Sequence, residues 1–115
     1  MKKIVVTGGA GFVGSNLINL LLKKTKLKII SIDNYSSGKK KNHNKNIRVK
    51  YIKGHTKNIT FLLKKEIENI HSLYHFGEFS RIYQSFLQMN ECISSNSIGT
   101  NAVINFCLKN RIKLI

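Results

Sequence analysis

No proline occurs in the 115 residues, only two cysteines are present, and acidic side chains number five against 20 lysines and arginines. Without proline there is no Pro-rich linker to divide the chain, and its length allows one domain, residues 1–115, with a real core but not two. Cys92 and Cys107 form no C-x-x-C pair and fall in what reads as one helix. Neither a disulfide framework nor a metal site is therefore indicated, and a reducing cytoplasm fits. No apolar run approaches the roughly 20 residues that a membrane span needs. The opening MKKIVV imitates a signal peptide, but glycines interrupt its apolar part and no small-residue cleavage site follows. A soluble, cytoplasmic protein is expected.

The shortage of acid leaves a formal net charge of +15. Such a balance ordinarily points to nucleic acid or an anionic surface. Here the basic residues are mostly lysine and scattered, and Asn and Ile are equally over-represented, which is the mark of a biased base composition. Both readings of the charge stay open, with nucleic acid the lesser partner.

With 42% hydrophobic residues the chain can fill a core, and its apolar runs alternate in type. KKIVVT, residues 2–7, is a short β-branched run. Phe12, Val13, Leu17, Leu20 and Leu21 follow at helical spacing, and KIISID is a second strand ending in Asp33. The polar stretch NYSSGKKKNHNKN reads as a surface loop, RVKYIKG as a third strand, ITFLLKKEIENI as a second helix and SLYHFG as a fourth strand. A long helix is predicted from Glu91 to Asn110, with Val103, Phe106 and Cys107 on one stripe, and KLI begins a further strand. Strands alternating with helices argue an α/β fold with a parallel sheet covered on both faces.

TGGAGFVG, residues 7–14, lies between the first strand and the first helix. Four glycines in eight residues contribute little apolar surface and weaken any regular element they enter, so their use is close approach to the backbone. Gly8 or Gly9 permits the tight turn, Gly11 lets a pyrophosphate come near, and Gly14 lets the helix pack against the strand. The unpaired N–H groups and positive dipole end of that helix would then face the anion. Asp33, 19 residues after Gly14 at the end of the second strand, can accept both hydroxyls of an adenosine ribose. A 2′-phosphate there would be repelled, so NAD is preferred to NADP, although Lys39, Lys40 and Lys41 soften that preference.

TGGAGFVGSNL followed by SIDNYSSG resembles the start of the NAD-dependent epimerase/dehydratase family, the extended short-chain dehydrogenases acting mostly on nucleotide sugars. LYHFGEFSR resembles the family's fourth-strand end, and NSIGTNAVINFC its N-x-x-G-T helix, so the resemblance covers essentially the whole chain. It implies a Rossmann-like doubly wound sheet of strand order 3-2-1-4-5, here ending within the fifth strand. It makes Gly8, Gly11, Phe12 and Val13 dinucleotide contacts, with Gly14 completing the run. Asp33 and Asn34 fall at the adenosine ribose, Phe76 and Gly77 beside the cofactor beyond the fourth strand, and Asn96 at the asparagine that organises the active site. Gly99, in the same helix, is expected to serve close packing.

Two departures from the family pattern stand out. GHTKN, residues 54–58, stands where the family commonly has G-D-I-x-D or G-D-I-x-N, whose first Asp bonds the adenine amino group; His55 takes that place, and a neutral imidazole can still accept one hydrogen bond. Glu78 replaces a small residue near the nicotinamide side. The family's catalytic Ser or Thr and Y-x-x-x-K pair lie beyond the fifth strand, so no catalytic residue is expected in this chain. The Y-x-x-x-K formed by Tyr35 and Lys39 belongs to the adenosine end. His71 and His75 are four apart, but in a strand that spacing is about 13 Å, too far to share an ion, and no metal site follows.

The reading that results is the NAD-binding N-terminal portion of a nucleotide-sugar epimerase or dehydratase, catalytically incomplete by itself. It would meet its sugar nucleotide only in a full-length form, which the resemblance allows to be a homodimer. The alternatives are a small basic module binding nucleic acid and a dinucleotide sensor.

Overall fold

The computed structural model describes residues 2–77 and 94–115, the side chains of the second stretch from residue 97 onward. Strand β1, Lys3–Thr7, is followed by helix α1, Phe12–Lys24, and strand β2, Lys28–Asp33. A 3-10 turn at Lys40–Asn42 precedes β3, Val49–Lys53. Another 3-10 turn at Thr56–Asn58 runs into the single-turn helix α2, Ile59–Leu62, and then comes β4, Ile70–His75. The second stretch opens with a π-helix, Ser94–Gly99, continued by α3, Thr100–Asn110, and ends in β5, Lys113–Leu114. All pairings are parallel and the strand order is β3-β2-β1-β4-β5. The α/β class and the strand order expected from sequence are both found.

Alternation along β1 explains the layers. Ile4 and Val6 point to one face, where they meet Ile18 and Leu21 of α1 and Ile29 of β2. Val5 points to the other, among Ile30, Ile32, Leu73, Ile59, Leu63 and the Val103, Phe106, Cys107 stripe of α3. A sheet buried on both faces needs apolar residues in both registers of its inner strands, which is why IVV and KII read as nearly continuous runs. Burial raises the pKa of the Cys107 thiol, as suits a core side chain; Cys92 lies outside the described residues.

Three expected elements are redrawn. The helix over residues 59–70 stops at Leu62, because Lys64 and Glu66 donate their N–H groups to carbonyls three residues back, in tight turns, and Asn69 takes φ 64°. Ile70 is thereby drawn into β4 opposite Lys3, and β4 starts two residues earlier than expected. The pairing jumps from Lys3↔Ile70 to Ile4↔Ser72, so His71 is the extra residue of a bulge. The long helix has a π-helical first part before Thr100, and its expected start at Glu91 lies outside the described residues. Gly99, where π turns to α, is buried.

The stretch after β2 is more than a surface loop. The N–H of Lys39 and the side-chain amide of Asn42 both donate to the Ala10 carbonyl, at 3.0 and 2.8 Å, pinning the loop to the glycine-rich turn. The Tyr35 hydroxyl meets His43 Nε2 at 2.7 Å, and the His43 ring stacks on Tyr51 with centroids 3.7 Å apart.

Candidate functional site

The site forms at the carboxyl ends of β1, β2 and β4, where the strand order reverses direction between β1 and β4; such a switch point opens a crevice in a doubly wound sheet. Four glycines shape its floor, each for a different reason. Gly8 has φ +73°, and a Cβ there would stand 2.6 Å from the Phe76 carbonyl oxygen, so Gly8 makes the tight turn. A Cβ on Gly9 would fall on the Ser31 hydroxyl, and one on Gly14 on the Gly8 carbonyl. Gly14 thus lets α1 close on the glycine-rich turn itself rather than on the strand.

Gly11 differs from these. Its φ of −82° is ordinary, and a Cβ there would meet one atom, the Gly8 carbonyl oxygen at 3.3 Å, and otherwise point into open space. Packing among the described residues asks for glycine at 8, 9 and 14 and scarcely at 11. Gly11 is also the N-cap of α1, with no side-chain cap and no acidic residue in the first turn, while Lys23 and Lys24 occupy the last turn. The positive end of the helix dipole is left without a counter-charge of its own, directly over that space.

Asp33 is almost buried at the end of β2. Its carboxylate accepts the N–H of Ala10 through Oδ2 at 3.0 Å and that of Tyr35 through Oδ1 at 2.7 Å, fastening the glycine-rich turn to the following loop. A carboxylate has about four acceptor sites, so this arrangement leaves capacity for further donors. Gly38 folds back so closely that a Cβ would lie 2.6 Å from Oδ2.

A cavity of about 340 Å³ lies over these groups, and Gly8, Gly11, Phe12, Val13, Gly14, Asp33, Asn34, Phe76 and Gly77 all line it. Ser36, Ser37, Gly38, Thr56 and His75 line it as well and were missed by sequence reasoning. Their signal was the SSG that follows the aspartate, and, for His75, its place immediately before Phe76. Phe12 and Val13 leave large apolar surfaces exposed at the mouth. His55 is not among the lining residues, although Gly54 and Thr56 are. Its Nδ1 accepts the Lys57 N–H at 3.1 Å and so caps the 3-10 turn. The Asn96 backbone belongs to the π-helix, its side chain lies outside the described residues, and so does Glu78.

Tyr35 stands apart from the cavity lining. Burial first, then the Asp33 carboxylate and Tyr51, raise its pKa, so the hydroxyl that meets His43 stays protonated. His71 and His75 both fall in β4, the first bonded to Ser72 and the second to Thr7 and Thr100. Among the described residues no three His, Cys, Asp or Glu side chains stand close enough to hold a metal ion, and no helix is long and apolar enough to cross a membrane.

The model of the NAD dependent epimerase/dehydratase family matches residues 4–115. Among curated proteins the chain is 31% identical to dTDP-D-glucose 4,6-dehydratase of Dictyostelium discoideum, over 98% of this chain and 27% of that protein. It is 35% identical to UDP-glucuronic acid decarboxylase 6 of Arabidopsis thaliana, over 85% of this chain and 28% of the relative. Among solved structures, the Bordetella bronchiseptica enzyme WbmG in complex with NAD and UDP superposes with a TM-score of 0.81 at 26% identity, over 96% of this chain and 35% of that one. The chain thus spans little more than a quarter of the curated relatives' length.

Proposed function

The chain belongs to the NAD dependent epimerase/dehydratase family, and on that premise we propose that it is the NAD-binding portion of an enzyme that modifies nucleotide sugars. The observation that carries this reading is Gly11, where the missing side chain leaves room that nothing among the described residues fills, at a helix N-terminus with no side-chain cap. A pyrophosphate fits that room by size and by charge. Asp33 and Asn34 would hold the adenosine ribose, and Phe76 and Gly77 the far side of the cofactor. His55 would serve the adenine end by holding the 3-10 turn through Lys57 rather than by its own acceptor, and Asn96 would act from the helix beyond.

NAD is preferred over NADP because the Asp33 carboxylate opposes a 2′-phosphate. A nicotinamide dinucleotide held by these residues would supply hydride transfer from and to the sugar. What these residues supply is binding and orientation. The proton transfer that accompanies hydride movement needs an acid–base group that we assign to no residue of this chain. The nucleotide sugar, by this reading, is a partner of the full-length enzyme, whose relatives are dehydratases and decarboxylases of such compounds.

Calorimetric titration of the purified chain with NAD and with NADP tests the proposal. NAD is expected to bind, NADP at least tenfold more weakly, and Gly11→Val to abolish binding while circular dichroism shows an unchanged fold. A folded Gly11→Val protein that binds NAD as the parent does overturns the reading.

A further inference from the structure

The hydrogen bonds at the end of β4 have only one consistent direction. Thr7 is fully buried, and its Oγ1 has three partners: the N–H of Phe76 at 2.9 Å, the N–H of Gly77 at 3.0 Å, and His75 Nδ1 at 2.7 Å. Phe76 shares its hydrogen with the Thr7 carbonyl at 3.0 Å, whereas Gly77 has the hydroxyl oxygen. Backbone N–H groups only donate, so Gly77 and, in part, Phe76 face the acceptor side of the hydroxyl. His75 Nδ1 is the one acceptor that the Thr7 hydroxyl reaches among the described residues, so its hydrogen goes there and Nδ1 carries none. The ring hydrogen is left on Nε2, which lies 3.1 Å from Thr100 Oγ1 at the start of α3. A hydrogen on Nδ1 would compete with the Gly77 and Phe76 N–H groups for Oγ1 and leave the buried Thr7 hydroxyl hydrogen without an acceptor among the described residues.

The backbone so held is a wall of the cavity. Its carbonyl at Phe76 crowds Gly8, and a Cβ on Gly77 would stand 3.1 Å from both Thr7 and Thr56. We propose that His75, as the neutral Nε2–H imidazole, is a positioning residue of the dinucleotide site: through Thr7 it holds the Phe76–Gly77 wall against β1, and through Thr100 it seats α3 on the same strand end. This role rests on the dinucleotide reading above.

The two arms separate by substitution. His75→Asn retains an acceptor near the Nδ1 position and loses the reach to Thr100. His75→Gln retains a donor near Nε2 and loses the acceptor for Thr7. Thr7→Ser keeps the hydroxyl, and Thr7→Val removes it at nearly constant shape. Thr7→Ser and His75→Asn are expected to hold NAD affinity within about threefold, and Thr7→Val and His75→Gln to lose roughly tenfold while remaining folded, the effect of about one hydrogen bond. The Thr7→Val/His75→Gln double variant should bind no worse than Thr7→Val. Nitrogen-15 spectra of the parent at neutral pH should show Nδ1 unprotonated and Nε2 protonated, and Thr7→Val should erase that preference. An Nδ1–H tautomer or an imidazolium in the parent overturns the proposal, as does a folded Thr7→Val or His75→Gln chain with parental NAD affinity. A parent that binds no NAD refutes the dinucleotide reading and the positioning role with it, while the nitrogen spectra still decide the polarity of the ring.

Discussion

The hydroxyl of Ser31, on β2, occupies the space that a Cβ on Gly9 would need. Ser31 pairs with Val6 in the sheet and faces α1, in the otherwise apolar layer of Ile18 and Ile29, and its Oγ is buried with no hydrogen-bond partner among the described residues. The second glycine of the run is therefore set by packing against the neighbouring strand.

Gly9→Ala should destabilise the chain by about 1–3 kcal/mol through overpacking. Ser31→Ala should be neutral or stabilise by up to about 1 kcal/mol, since it removes an unsatisfied buried hydroxyl. Gly9→Ala should cost less in a Ser31→Gly background, because the two changes share one space. Urea denaturation of the single and double variants checks this, and strict additivity would refute the shared-space account.

Asp33→Ala should weaken NAD binding by about 1–3 kcal/mol, the range for hydrogen bonds to a charged group. It also frees the N–H groups of Ala10 and Tyr35, so the loop loosens together with the site. Asp33→Asn separates the two effects. It keeps an oxygen for one of those donors and removes the charge, so NADP should gain on NAD with less loss of stability. Calorimetry with both dinucleotides reads the ratio; an unchanged ratio in folded Asp33→Asn would remove Asp33 from cofactor choice.

The glycine-rich turn and Asp33 were legible because strand, turn, helix and strand follow one another within about thirty residues, each with a local signal. The end of α2 was not. Its apolar spacing fits a helix through Ile70, and the tight turns at Lys64 and Glu66, the left-handed Asn69 and the sheet's claim on Ile70 break it. The Thr7–His75 pair was hidden for another reason: its members are 68 residues apart, and neither has a pattern around it that names the other. His55 was placed in the right loop, yet which nitrogen it would commit to Lys57 depends on a turn geometry that composition does not encode.

Arg48 was equally silent in the sequence. Its guanidinium donates to the carbonyls of Leu22 at 2.6 Å, Thr25 at 2.8 Å and Leu27 at 3.2 Å, so it caps the end of α1 from the start of β3. Arg48→Ala should cost about 2 kcal/mol, because it removes a charged forked donor and leaves helix-terminal carbonyls without it. Arg48→Lys should recover less than half of that, since an ammonium cannot reach three carbonyls in fixed fork geometry. The urea midpoint should fall with an unchanged slope; equal midpoints for the lysine variant and the parent would dismiss the fork.

Glu66 is expected to contribute an acid-sensitive part of the stability. Its carboxylate meets Lys50 at 3.1 Å and Lys3 at 3.1 Å, and Lys3 also donates to the Glu66 carbonyl at 3.3 Å. The hydrogen bonds from Lys50 and then Lys3 hold its pKa below the ordinary glutamate value, outweighing burial. A carboxylate with a depressed folded pKa contributes stability that is present above its unfolded value of about 4.3 and is lost as pH falls through the folded value. Glu66→Gln should therefore cost about 0.5–1 kcal/mol at neutral pH, and the gap between parent and variant should close below about pH 4. The two arms should differ in salt. Lys50 has 63% of its side chain exposed and Lys3 17%, so screening should remove the Lys50 contribution first. In the chemical denaturation of Lys50→Met and Lys3→Met at low and high salt, the Lys50 effect should vanish in salt while much of the Lys3 effect persists. A parent–Glu66→Gln gap that stays constant from pH 7 to pH 3 would show that the carboxylate's charge contributes nothing there.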